Sequence, residues 1–183
     1  MKSILLCTTL LLLTVATVVA AQNNAPAKSP AATESKTIDG KTISITYSSP
    51  RVNGREGKLF GKDGRIAKDP NYPIWRAGAN AATKLHTDAN LKIGDVEVPK
   101  GDYTLYVDLS DPDAWSLIIN KQTGQWGLKY DKSQDVGRAK MEMSKPDAPI
   151  EDLKYVLTDD GGNKATLKLE WENHIATVPI TVE

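Results

Sequence analysis

The stretch KTISITY, Lys41 to Tyr47, constrains the fold more than any other feature of this chain. Ile43, Ile45 and Tyr47 fall on one side of an extended backbone and Thr42, Ser44 and Thr46 on the other, the period of two that a half-buried strand imposes on its side chains. The period returns in DYTLYVDL (102–109), where Tyr103, Leu105, Val107 and Leu109 alternate with Asp102, Thr104, Tyr106 and Asp108, and in WSLII (115–119), where Trp115, Leu117 and Ile119 share a side. Further strands are predicted over GRAKMEM (137–143), DLKYVLT (152–158), ATLKLEW (165–171) and IATVPITV (175–182). Between them lie PKGD, SDPD, KQTG, DDGGN and WENH, rich in residues that adopt or cap turns. Connections this short join antiparallel neighbours. About nine or ten such strands predict an all-β fold, an antiparallel β-sandwich or a flattened barrel with little helix outside a leader. The nearest thing to a helical stripe, AGANAATKL (77–85), is weakened by Gly78 and Thr83 and reads equally well as a turn leading into a strand.

The N-terminus follows another rule. MKSILLCTTLLLLTVATVVAA (1–21) joins a lone Lys2 to an apolar run and small residues at Ala20 and Ala21, the layout of a cleaved signal peptide. A membrane anchor would call for a longer, less threonine-rich core followed by a basic cluster, so no transmembrane segment is expected in the mature chain. Export to the periplasm or the extracellular space is expected, with mature protein beginning near Gln22. Residues 22–36, rich in Pro, Ala and Ser, have little to bury and are expected to form a disordered linker. Residues 37–183 then form a single β domain.

Cys7 is the only cysteine and leaves with the signal, so neither a disulfide nor a thiolate is available to the mature chain. The 23 Lys and Arg balance 23 Asp and Glu without a basic stripe, so a nucleic-acid partner is not expected. His86 and Asp88 share a strand face, but two ligands do not make a metal site and His174 is far along the chain; no metal or other cofactor is expected. GREGKLFGKDGR (54–65) is glycine-rich without introducing a helix, unlike a phosphate-cradling loop. Carboxylates such as Asp102, Asp108 and Glu170 are too ordinary on strands to define a glycosidase pair, and no catalytic residue is assigned.

Four tryptophans need places. Trp115 and Trp171 are in phase with aliphatic neighbours and read as core. Tyr72, Trp75, Trp126 and Tyr130 would together make an aromatic platform for sugar rings. In NYPIWRAGANAATKLHTD (71–88) the small residues Gly78, Ala79, Ala81 and Ala82 allow close backbone approach, while Arg76 and Asn80 carry hydrogen-bond donors into the segment. Arg76 should meet a carboxylate or several carbonyls, because a guanidinium drawn inward must be satisfied. Two readings remain open. Either Trp75, Arg76 and Asn80 brace a crossover between sheets, or the same three residues, with Arg55 and Tyr47, floor a ligand pocket.

Taken in order, ISITYSSPRVNGR, LFG, YPIWRAGANAATKLHTD, VPKGDYTLY, WSLIINKQTGQWG and YD…DVGR resemble the bacterial DUF2911 family of exported or envelope proteins of unknown function. The resemblance covers nearly all of the mature domain and implies an all-β fold without an assigned activity. Relatives commonly carry threonine and glutamate where Ala77 and Ala81 stand here, so any acid, base or ligand role of that glutamate is missing from this chain. The expectation is therefore an exported, non-catalytic binding or envelope-associated module for a polar small molecule or carbohydrate, its binding residues being Tyr47, Arg55, Tyr72, Trp75, Arg76, Asn80 and Trp126. A small hydrolase acting on an envelope polymer is the alternative.

Overall fold

The computed structural model describes residues 28–183 as two antiparallel sheets packed face to face. The expected signal peptide, 1–21, and the start of the expected linker lie outside the described residues. In chain order the strands are β1 (Ala31–Ile38), β2 (Lys41–Ser48), β3 (Ile74–Trp75), β4 (Thr83–Thr87), β5 (Leu91–Ile93), β6 (Val96–Val98) and β7 (Gly101–Asp108). There follow β8 (Ser116–Asn120), β9 (Asp135–Lys140), β10 (Glu142–Ser144), β11 (Ile150–Gly161), β12 (Lys164–Glu172) and β13 (His174–Val182). One sheet runs β1-β2-β4-β7-β8-β9, with β3 on β7; the other runs β11-β12-β13-β5-β6, with β10 on β13. This is a sandwich and not a closed barrel. The excess over nine or ten strands comes largely from short pieces of two or three residues, too brief to display a period.

The linker boundary requires correction. Residues 31–36, expected to be disordered, belong to β1, which pairs with β2 from Ala31↔Ser48 to Ile38↔Lys41. Burial does not hold this strand, since Ile38 is its only buried residue. Its backbone ladder does, helped by the Glu34 carboxylate, which accepts the Leu157 N–H of the opposite sheet at 3.0 Å. The Asp39-Gly40 turn, with φ of 48° and 71°, supplies the left-handed pair that a two-residue hairpin needs.

The alternation places the core as expected. Ile43, Ile45, Leu85, Leu105 and Leu117 face Leu157, Leu167, Leu169, Val178 and Ile180, each essentially inaccessible to solvent. Every such side chain contributes roughly 1.5–3 kcal/mol by leaving water. Two departures shape the functional end. GRAKMEM is not one strand, because at buried Met141 the chain leaves β9 in one sheet and enters β10 in the other. The outer face of β7 and β8 is buried as well, at Tyr106 and Ile118. The segment after β8 folds back over it, with Tyr106 Oη donating to the Lys129 carbonyl at 3.0 Å and Asn120 Nδ2 to that of Asp131 at 2.8 Å.

Candidate functional site

The chain leaves β3 at Trp75 and reaches β4 through a short turn over 76–82, as one reading of AGANAATKL expected. Ala77 and Asn80 both adopt left-handed backbone, at φ 48° and 59°, where an L residue is strained by about 1 kcal/mol or more. The surroundings enforce it. The buried Ala77 carbonyl accepts from Tyr155 Oη at 2.9 Å and Thr83 Oγ1 at 3.2 Å, and the Ala79 N–H donates to the Ser48 carbonyl at 3.1 Å. A Cβ on Gly78 would stand 3.0 Å from Thr83 Oγ1, which is why the segment is built from small residues.

Arg76 is fixed from two sides. Its Nη2 reaches Asp69 Oδ2 at 3.2 Å, with the two side chains only 15% and 23% exposed. A Cβ on Gly127 would lie 2.5 Å from Arg76 Cδ, so glycine at 127 is what lets the returning segment close over the arginine stem. Gly127 N–H also donates to the Asn80 carbonyl at 3.1 Å, and Ala81 bridges Trp126. The carboxylate partner expected for Arg76 is therefore present.

This segment forms one wall of a cleft of about 850 Å³. Arg51, Asn53 and Arg55, following β2, also line it, together with the buried side chains of Leu59, Ile66, Trp75 and Trp171. The glycine-rich stretch is a closed loop, pinned where the Arg65 N–H meets the Lys58 carbonyl at 2.9 Å and the Ile66 N–H meets that of Leu59 at 3.1 Å. It docks through Leu59, Phe60 and Ile66 and carries Arg55, Arg65 and Lys68 to the cleft. Gly57 N–H is clamped by Glu172, a buried carboxylate 2.6 Å away whose pKa burial raises.

Of the expected binding residues, Arg55, Trp75, Arg76, Asn80 and Trp126 line this cleft. Tyr47 does not. Its ring is buried edge-on against Tyr155 at 4.9 Å and its Oη accepts the Tyr155 N–H at 3.3 Å, in keeping with its phase beside Ile43 and Ile45. Tyr72 lines a separate cavity of about 340 Å³ with Phe60, Trp115 and His174. The aromatic platform is accordingly not assembled: Trp75 stacks on Trp171 at 5.8 Å and Tyr130 packs on Tyr106 at 4.9 Å. Trp126, 51% exposed, is the one large hydrophobic side chain in the open among the described residues.

Sequence reasoning missed Arg51, Arg65, Lys68 and Trp171. Six of the cleft's lining residues, Lys28, Arg51, Arg55, Arg65, Lys68 and Arg76, are cationic and one, Asp69, is acidic. Arg51 Nε meets Asp152 at 2.8 Å, while Arg55 Nε donates to the Val52 carbonyl at 2.8 Å. Among the described residues, Lys28, Arg65 and Lys68 have no such partner.

The remaining candidates for chemistry are occupied elsewhere. His86 sits between Asp102 at 2.9 Å and Asp88 at 3.1 Å, and its hydrogen bond to Asp102, then that to Asp88, raises its pKa. Asp108 pairs with Arg138 at 2.6 Å and Glu170 with Lys154 at 3.1 Å, so these carboxylates do not face one another as a catalytic pair would. In the smaller cavity His174 stacks on Trp115 at 5.1 Å, its Nδ1 buried without a partner, and burial lowers its pKa. Glu172 approaches that nitrogen only to 3.9 Å, beyond hydrogen-bond reach. No helix among the described residues is long and apolar enough to cross a membrane.

The fold and site thus define an all-β sandwich with a cationic cleft at one end. The family described as "Protein of unknown function (DUF2911)" matches residues 29–180, and the chain belongs to that family. The match begins close to β1, which independently places the domain boundary ahead of residue 37. No curated protein and no solved structure matches the chain.

Proposed function

We propose that this protein is an exported, non-catalytic binding module whose large cleft takes a polar, glycan-like ligand. One observation carries the reading: an exposed tryptophan, Trp126, stands at a cleft beside the Arg76 guanidinium, which Asp69 already holds in place, with the exposed Asn80 side chain next to it. An aromatic ring beside fixed donors is the usual means of binding a sugar face together with its hydroxyls. Holding the Arg76 guanidinium before the ligand arrives also lowers the entropy lost on binding. The cleft's single carboxylate, Asp69, is engaged by Arg76, which leaves a hydrolase without the pair of independently titrating groups it would use.

Trp75, Trp115 and Trp171 are buried, so acrylamide should quench mainly Trp126. Titrated with a panel of neutral and acidic oligosaccharides, the protein should protect Trp126 with at least one of them, and Trp126→Ala should weaken that binding by about tenfold. An absence of protection across the panel at millimolar concentration would sink the proposal. The exported address rests on residues 1–21; recovery as an intact membrane-embedded chain still carrying Met1 would contradict it.

A further inference from the structure

The cleft is far more positive than the molecule that contains it. Formal charge over the whole chain is zero, yet six lining residues are Lys or Arg against one Asp. Like charges gathered on adjoining walls repel one another, and folding alone gives no reason to collect them unless something neutralises the excess. The acidic side chains that do act in this region are directed elsewhere. Asp69 is taken by Arg76, Asp152 holds Arg51 from outside the cleft lining, and Glu172 is turned to the Gly57 N–H.

Two kinds of cation are present. Arg76 and Arg55 are preorganised, the first by Asp69 and the stem contact at Gly127, the second by the Val52 carbonyl, and each retains N–H donors beyond those in use. Arg65 and Lys68 are exposed and without partners among the described residues, yet the docked loop delivers both to the same opening. A planar guanidinium held in place suits a carboxylate or phosphate, which it can meet with two parallel hydrogen bonds. A cleft of about 850 Å³ is in the range of small-molecule sites, roughly 300–1,000 Å³, and offers room for a few sugar rings at most.

Building on the reading of the cleft as a ligand site, we infer that its ligand is an acidic sugar, a short saccharide bearing carboxylate or phosphate groups, with Arg65 and Lys68 as the cations that select it over neutral sugars. Trp126 would take a sugar face while the cations take the oxyanions. Arg65 and Lys68 can be removed without leaving a buried group unpaired, so charge selection is separable from folding.

The test compares tri-galacturonate with maltotriose, trisaccharides with and without carboxylates, by calorimetric titration of wild-type protein and the Arg65→Ser/Lys68→Ser variant. Wild type should bind tri-galacturonate at least about tenfold more tightly than maltotriose, and moving from 0.05 to about 0.5 M salt should weaken only the acidic ligand. The double variant should keep the wild-type melting temperature to within a few degrees, lose about tenfold or more for tri-galacturonate and be unchanged for maltotriose. Equal affinity of wild type for both, or an unchanged double variant, overturns the acidic-sugar inference and leaves the binding module standing. Binding of neither trisaccharide overturns both. Association with phosphatidylglycerol vesicles in place of tri-galacturonate would overturn the sugar assignment, the oxyanion then belonging to a lipid headgroup.

Discussion

The two hollows at this end of the sandwich share a wall and differ in nearly everything else. Trp75 and Trp171 line the larger, Phe60, Trp115 and His174 the smaller, and Ile66 borders both. Phe60 joins the two sets, 5.5 Å from Trp75, 5.8 Å from Trp171 and 5.1 Å from Trp115. On the larger side most of the polar groups are charged and either preorganised or open to solvent. On the smaller side the one histidine stacks on Trp115, lies tilted against Phe60 and is biased toward its neutral form by burial. A single aromatic layer thus separates a cleft that gathers cations from a cavity that, though Lys62 also lines it, biases its histidine toward the neutral form. Packing supports the loop that carries Arg55, Arg65 and Lys68, and electrostatics sets what the loop can hold.

Breaking the shared wall should have the largest effect. Trp75→Ala removes a fully packed indole at the junction of β3, β7 and the aromatic layer and should destabilise the domain by about 3–5 kcal/mol, read as a lower denaturant midpoint with the slope preserved. A wild-type midpoint would show that the layer contributes little to holding the loop.

Arg76 tests whether bracing and binding are alternatives. Its pair with Asp69 is mostly but not wholly withdrawn from solvent, so Arg76→Ala should cost about 1–3 kcal/mol, less than a sealed ion pair would. Arg76→Lys should recover only part of this, since an ammonium lacks the planar fork. An unchanged midpoint for Arg76→Ala would remove the bracing role and leave only the ligand role. The geometry supports both, because the same guanidinium that holds Asp69 lines the cleft.

The smallest expected effect sharpens the contrast through pH. Burial lowers the folded-state pKa of His174 below the usual 6.5, so the unfolded chain binds more protons in that window. Stability from this group is complete above about 6.5 and is lost as pH falls toward the lowered value. His174→Phe should therefore flatten the decline in stability between pH 7 and 5, seen in denaturant melts at several pH values. An unaltered decline would mean that the smaller cavity does not suppress charge at this residue.

Much of the fold was legible because a strand writes its burial pattern locally. Tyr47 illustrates it: the phase that placed Ile43 and Ile45 inward also placed Tyr47 inward, and assigning it to a pocket set that signal aside. β1 was missed because its composition is that of a tail, although Asp39-Gly40 is a hairpin signal that would have extended the sheet backwards. The short strands β3, β5 and β6 left no period to read, and their pairing comes from β7 and β13. For the site, Trp75, Arg76 and Asn80 were visible because they are adjacent and out of place among small residues. Arg51, Arg65 and Lys68 were not, because Glu56, Asp63 and Asp69 are interspersed among the cations of 51–69 and no continuous basic run forms.

What the sequence determined by itself was the strand period, the core face and the need for a partner to Arg76, since each follows from what a residue's near neighbours and its own chemistry demand. Which charges share a cleft was decided only by the tertiary structure. The loop docks through Leu59, Phe60 and Ile66, and that docking sends its cations to the opening, while Asp69 turns to Arg76 and Glu172 turns to Gly57. Packing sorted by solvent exposure thus separates charges that are interspersed in sequence, because apolar burial fixes the loop and the polar groups occupy the sides that remain.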